Sequence, residues 1–140
     1  MERAPEVEIV DTYLRLFGEK DLEAASAYLA PGAKLVFPGG LTFDDLPSVV
    51  ADASHRYKWV QKDRTDFFVG ERTSDGAVSC ISSGALKGET LWGTSFAGVR
   101  YIDLFILRDG LIHEQYVWND LSELGVTPLL AQRLSVGAAR

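Results

Sequence analysis

The sequence predicts an α+β domain, with two or three N-terminal helices packed on the concave face of a curved, mostly antiparallel sheet. Two observations lead there. Apolar residues recur at helical spacing up to Tyr57, and the period then changes to that of strands. Beyond that point Ser74-Asp75-Gly76 and Arg108-Asp109-Gly110 are turn signals between long alternating runs, the pattern of hairpins. Helices first and hairpins afterwards favour α+β over alternating α/β. A long twisted sheet tends to curl, and helices on its concave side can enclose a pocket.

Taken in order, Ile9, Val10, Tyr13, Leu14 and Phe17 form a helical stripe within residues 6–17, ended by Gly18. Asp21 is the expected N-cap of a second helix with Leu22, Ala25, Tyr28 and Leu29 inward, stopped by Pro31-Gly32. Ala33–Phe37 reads as a short strand closed by Pro38-Gly39-Gly40. Asp44 is placed to cap a third helix that tolerates Pro47 in its first turn and carries Leu46, Val49, Val50, Ala53 and Tyr57 at helical spacing. Thr65–Thr73 and Ala77–Leu86 are expected to pair as one hairpin, and Phe96–Leu107 and Leu111–Asn119 as the next. A short helix near Pro128–Leu134 precedes a small-residue tail.

The 140 residues suit a single domain, 1–140, with a core at 6–121 and a C-terminal tail at 122–140. No apolar run approaches the ~20 residues of a membrane span. The opening MERAPEVEIVD is not that of a secretory signal, so the cytoplasm is the default location and no membrane partner is expected. A net charge of −6 disfavours nucleic acid as a partner. Cys80 is the only cysteine, which rules out an internal disulfide. His55 and His113 are far apart and lack zinc-ligand spacing, so neither a bound metal nor another cofactor is expected.

Strand alternation sorts the candidate chemistry. If Asp103 faces the concave side, so do Tyr101 and Phe105, with Gln115, Val117 and Asn119 on the next strand and Cys80, Ser82, Gly84 and Leu86 on the previous one. Such a pocket is mostly apolar with a few polar groups, the usual make-up of a small-molecule site. Asp103 stands out because Tyr-Ile-Asp-Leu-Phe-Ile-Leu is otherwise almost wholly apolar. Burial there raises a carboxyl pKa and favours the neutral acid, a hydrogen-bond donor. The competing reading is a structural hydrogen bond inside the core. Cys80 reads as a small buried hydrophobe rather than a nucleophile. Ile102, Leu104, Tyr116 and Trp118 fall on the opposite side and form an outer apolar patch.

The order of elements, with Val10-Asp11-Thr12-Tyr13, Glu19-Lys20-Asp21-Leu22-Glu23 and Leu29-Ala30-Pro31-Gly32-Ala33 at the front, resembles the nuclear-transport-factor-2-like (NTF2-like) superfamily, a cone-shaped, cystatin-like fold. Val99–Phe105, Arg108–Ile112 and Val117–Asp120 resemble its last hairpin and closing strand. The resemblance spans roughly residues 6–121 and includes ketosteroid isomerases and SnoaL-like polyketide cyclases. It implies Asp103 and Tyr13 as catalytic donors to an oxyanion, in the arrangement cited for ketosteroid isomerase. It places Phe37 where the isomerase base would stand, which argues against that family's isomerisation mechanism, and it sets Ser82 and Gly84 near the charged pair of the epoxide hydrolases. It also implies a pocket entered near His55 and Tyr57, a homodimer through the outer patch, and no cofactor. Phe17 and Trp59 are further pocket candidates, with plain packing the slightly favoured reading of Trp59. Trp92, in the Gly88–Gly98 loop, is a candidate lid, and His55 is a candidate base, although a histidine so placed is more often simply on the surface. The reading implied is a cofactor-independent cyclase, isomerase or dehydratase acting on a hydrophobic carbonyl compound such as a polyketide or terpenoid. The alternative is a non-catalytic domain that binds a small molecule in the same pocket.

Overall fold

The computed structural model describes residues 2–128. Helix α1 (Pro5–Gly18) opens with Pro5 in its first turn and buries Val7, Val10, Tyr13 and Leu14. Val7, Val10 and Leu14 recur every three or four residues with Tyr13 beside them, so one stripe faces the sheet. Helix α2 (Leu22–Ser26) is capped as expected, with the Asp21 carboxylate accepting from the Ala24 amide at 3.3 Å. Helix α3 (Leu46–Ala53) starts one residue later than the sequence suggested. Asp45, not Asp44, accepts from the Ser48 amide at 2.8 Å. A cap must precede the first helical residue and reach two or three positions on, which only Asp45 does once Leu46 opens the helix.

Six strands form one sheet: β1 (Leu29–Phe37), β2 (Leu41–Phe43), β3 (Tyr57–Val69), β4 (Val78–Thr90), β5 (Ser95–Arg108) and β6 (Leu111–Asn119). Their order is β2-β1-β6-β5-β4-β3, antiparallel except where β1 runs parallel to β6. Arg108-Asp109-Gly110 makes the tight β5–β6 turn, with Asp109 at φ 52° and Gly110 at φ 75°. Positive φ at both central positions gives a turn whose twist matches that of the flanking strands.

Three departures from the sequence reading bear on the site. Pro31-Gly32 does not end a helix; it lies inside β1, where the register with β6 shifts between Leu29 and Lys34. An irregular stretch of this kind tolerates a residue with no N–H to donate. Strand β2, after Pro38-Gly39-Gly40, is too short for periodicity to reveal. Most important, α3 ends at Ala53 and Tyr57 begins β3, which runs eight residues ahead of the expected Thr65. Tyr57–Arg64 carries Lys58, Lys62, Asp63 and Arg64, and that polarity hides a strand. Yet the alternation is present: Val60, Lys62 and Arg64 are half-buried while Gln61, Asp63 and Thr65 are exposed. Strand β3 is a sheet edge, and inward charges are a common feature of edges. The helix expected near Pro128–Leu134 falls almost entirely outside the described residues.

The sheet bends at register shifts in β3, between Tyr57 and Trp59 and between Arg64 and Asp66, and in β4, between Leu86 and Gly88. At the second of these Gly84 lies opposite Arg64, and a Cβ on Gly84 would stand 2.0 Å from the Asp63 carbonyl oxygen. Only a residue without a side chain lets the two backbones approach this closely. The main core lies between α1 and the sheet, around Val10, Tyr13, Leu35, Leu46, Cys80, Phe105 and Ile112. A second cluster, Leu86, Val99, Tyr101, Leu121 and Val126, fills the other end.

Candidate functional site

Alternation along β5 works as expected. Tyr101, Asp103 and Phe105 are buried, and Ile102 between them is 47% exposed. Register carries the same face across the sheet, pairing Asp103 with Ser82 on β4 and with Val117 on β6, and Phe105 with Cys80 and Gln115. Gln115 and Ser82 are buried too. The polar groups are thus brought together by three neighbouring strands, whose backbone ladders fix their spacing.

Hydrogen bonds join them in two small sets. The Tyr13 hydroxyl, from α1, donates to Gln115 Oε1 at 2.6 Å. The Ser82 and Tyr101 hydroxyls are 3.0 Å apart. Between the two sets lies Asp103, fully buried, and its Oδ2 accepts from the ammonium of Lys62. That ammonium also sits 4.8 Å from the centroid of the Tyr101 ring. Asp103 Oδ1 has no hydrogen-bond partner among the described residues. Beside this pair, the Arg64 guanidinium binds Asp11, which Arg3 also holds at 3.1 Å.

Burial decides the electrostatics. Loss of water pushes the Asp103 carboxyl above its ordinary value; the Lys62 charge and, more weakly, the Gln115 amide pull the other way without overcoming it. Burial likewise raises Tyr13, with help from the charge on Asp103, and pushes Tyr101 up to about 12. Cys80 is pushed up to about 11, chiefly by burial, so its thiol stays protonated at neutral pH.

The raised Asp103 value has a consequence for stability. A carboxyl bound more tightly to its proton in the folded state contributes stability that is present below the unfolded value of about 4, and that is lost as pH rises through the folded value. Asn at this position mimics the protonated form at every pH. Asp103→Asn is therefore expected to gain stability relative to the parent as pH is raised from 4 to 8. Urea unfolding at a series of pH values measures this, and a difference moving the other way would mean that the folded chain prefers the carboxylate.

A cavity of about 480 Å³ opens between the helices and the sheet. Phe17, Phe37, Tyr57, Trp59, Val117 and Asn119 line it, as the sequence suggested. Seven other expected pocket residues do not. Cys80, Ser82, Tyr101, Phe105 and Gln115 face inward but are covered by core packing, beneath the cavity floor rather than on it. His55 is exposed and off the wall, because the chain turns there between α3 and β3. Trp92, 52% exposed, is also off the wall. Strands β4 and β5 extend to Thr90 and back from Ser95, which leaves a tight turn in place of the expected lid loop.

The two expected catalytic groups, Asp103 and Tyr13, are likewise absent from the wall. Lys62 is the link the sequence reading missed, for it lines the cavity and grips Asp103 at once. The signal was the alternation of Val60, Lys62 and Arg64, masked by their polarity. Among the described residues no group of three His, Cys, Asp or Glu side chains could hold a metal ion, and no helix is long and apolar enough to cross a membrane.

Comparison with solved structures identifies the architecture as the NTF2-like fold. An NTF2-like protein of unknown function from Burkholderia pseudomallei superposes with a TM-score of 0.73 at 15% identity, covering 87% of this chain and 95% of its own. TerC, co-crystallised with polyporic acid, gives 0.72 at 16% identity, covering 87% and 96%. A protein from Xanthomonas campestris provisionally described as a polyketide cyclase gives 0.63 at 18% identity, covering 88% and 97%. No family model and no curated protein matches the chain.

Proposed function

We propose that the chain is a cofactor-independent acid/base enzyme that enolises a hydrophobic carbonyl compound in the cavity, as a cyclase, isomerase or dehydratase would require. The observation that carries this reading is the Asp103–Lys62 pair, one partner fully buried and the other on the cavity wall. A carboxyl held without water is otherwise costly, and groups so arranged concentrate at functional sites. The Lys62 ammonium first passes a proton to the Asp103 carboxylate, and the neutral amine then takes the carbon-bound proton of the ketone. The ammonium so re-formed donates to the enolate oxygen; return of a proton to carbon, and of the Asp103 proton to the amine, restores the pair. Tyr13, engaged with Gln115, acts as a positioning residue behind the pair. Provisional descriptions of structural neighbours as polyketide cyclases are consistent with this class.

The test uses an enolisable apolar ketone, β-tetralone, in deuterium oxide. The protein is expected to accelerate deuterium uptake at the α-carbon over buffer, and Asp103→Asn to lose that acceleration. Uptake no faster than in buffer would sink the enzymatic reading. One observation favours the alternative, a binding domain without turnover: neither Asp103 nor Tyr13 reaches the wall. Saturable β-tetralone binding without exchange would establish it.

The same proposal includes a homodimer through the outer sheet face. Ile102 and Trp118 pair across β5 and β6 and are 47% and 54% exposed, and Trp118 stacks on Tyr116 at 6.2 Å between centroids. Adjacent apolar side chains of this size usually mark a covered surface. Sedimentation at micromolar concentration should give a dimer, and Trp118→Glu a monomer; a parent chain that sediments as a monomer would refute the assembly.

A further inference from the structure

The cavity wall carries a charge opposite to that of the chain. The protein is −6 overall, yet among the described residues Arg15, Lys20, Arg56, Lys58, Lys62 and Arg64 border the cavity against two carboxylates, Glu19 and Asp52. Arg15 pairs with Glu19 and Arg56 with Asp52, so these pairs largely cancel on the wall itself. The other pairs are polarised. Lys58, Lys62 and Arg64 are bound to Glu89, Asp103 and Asp11, none of which lines the cavity. These three cationic residues border the space while their counter-charges belong to residues that do not. Lys20 pairs with no carboxylate among the described residues, and its ammonium lies 5.9 Å from the centroid of the Phe17 ring, another wall residue. Leu14, Phe17, Phe37 and Val49 fill the wall between these charges. Apolar walls hold field lines inside a cleft and strengthen its pull on an oppositely charged solute.

We infer that the site selects an apolar organic anion, a hydrophobic ring system bearing a carboxylate, sulfonate or ionised enol, over its neutral counterpart. This deepens the small-molecule reading of the cavity, on which it rests, but it does not depend on proton transfer by Asp103 and Lys62. The oriented pairs attract the anionic group, and the aliphatic and aromatic wall receives the rest of the molecule.

Two fluorescent probes of similar shape test it: anilinonaphthalene sulfonate, an anion, and phenylnaphthylamine, which is neutral. In low-salt buffer the full chain should bind the anion roughly tenfold or more tightly than the neutral probe. The ratio should shrink in concentrated sodium chloride, which screens partly exposed charges. It should fall in the double variant Arg15→Gln/Lys20→Gln and hold in Lys87→Gln, whose lysine pairs with Asp63 off the cavity wall. Equal or tighter binding of the neutral probe would overturn the inference. So would a ratio unchanged in the double variant, a ratio equally reduced in Lys87→Gln, or no saturable binding of either probe. Since the readout is binding, a failure here leaves the deuterium-exchange result standing, and deuterium uptake by the parent chain no faster than in buffer leaves the probe ratio intact.

Discussion

Lys62→Met should abolish exchange of the β-tetralone α-proton, lowering the rate by about 10²–10⁴-fold, the range ascribed to a positioned proton-transfer group. Methionine preserves most of the side chain's length and its apolar packing while deleting the charge and the proton. The variant leaves Asp103 with no cation, so burial drives that carboxyl further toward the neutral acid. The fold should survive, because the neutral acid needs no counter-charge. A melting temperature close to the parent's, with exchange lost, separates a chemical role from a structural one. Asp103→Asn should lose exchange to a similar degree, and the double variant should lose little more than either single one, since the two side chains act as a unit. Full exchange in Lys62→Met would mean that the pair takes no part in the chemistry.

Gly84→Ala is expected to produce the largest loss of stability of any single-methyl addition in the sheet. The new Cβ would meet a backbone carbonyl at 2.0 Å and the Thr65 hydroxyl at 2.8 Å, and the carbonyl cannot rotate away as a side-chain tip would. Overpacking of this kind costs about 3 kcal/mol or more when backbone has to move. For a domain of this size that lowers the melting temperature by roughly 10 °C. Calorimetry measures it, and a shift below about 2 °C would show that β3 gives way freely. The displacement would also fall on the neighbours of Lys62, so a folded Gly84→Ala protein should bind β-tetralone less tightly than the parent.

The architecture was legible in the sequence because its signals are local. The stripe from Val10 to Phe17, the Asp21 cap and the Asp109-Gly110 turn each specify their element without help from the rest of the chain. Strand β6 and the inward set Tyr101, Asp103 and Phe105 followed from the alternation of large apolar residues. The site was legible only in part. Asp103 announced itself as a charge in an apolar run, whereas Lys62 sat in a polar run where one more lysine is unremarked. Its meaning comes from β3 lying beside β4 and within reach of β5, a relation between residues 41 positions apart. The depth of the floor was also invisible. Alternation says which side of the sheet Cys80, Ser82 and Gln115 face, but the α1 side chains packed over that face decide whether a guest molecule can touch them.

Strand β3 is one of the two margins of the sheet, thirteen residues long and, among the described residues, paired with β4 alone. An uncharged margin of that length would be a template on which a second chain could lay its own strand, and then a third. Lys62 and Arg64 stand in the way of such stacking, because an incoming strand would have to accommodate their charges at close quarters. Replacing both with valine would remove that protection and invite fibrils as the protein is concentrated. The lysine proposed to handle protons would then also help to keep the molecule in solution, and the two demands would restrict the same position.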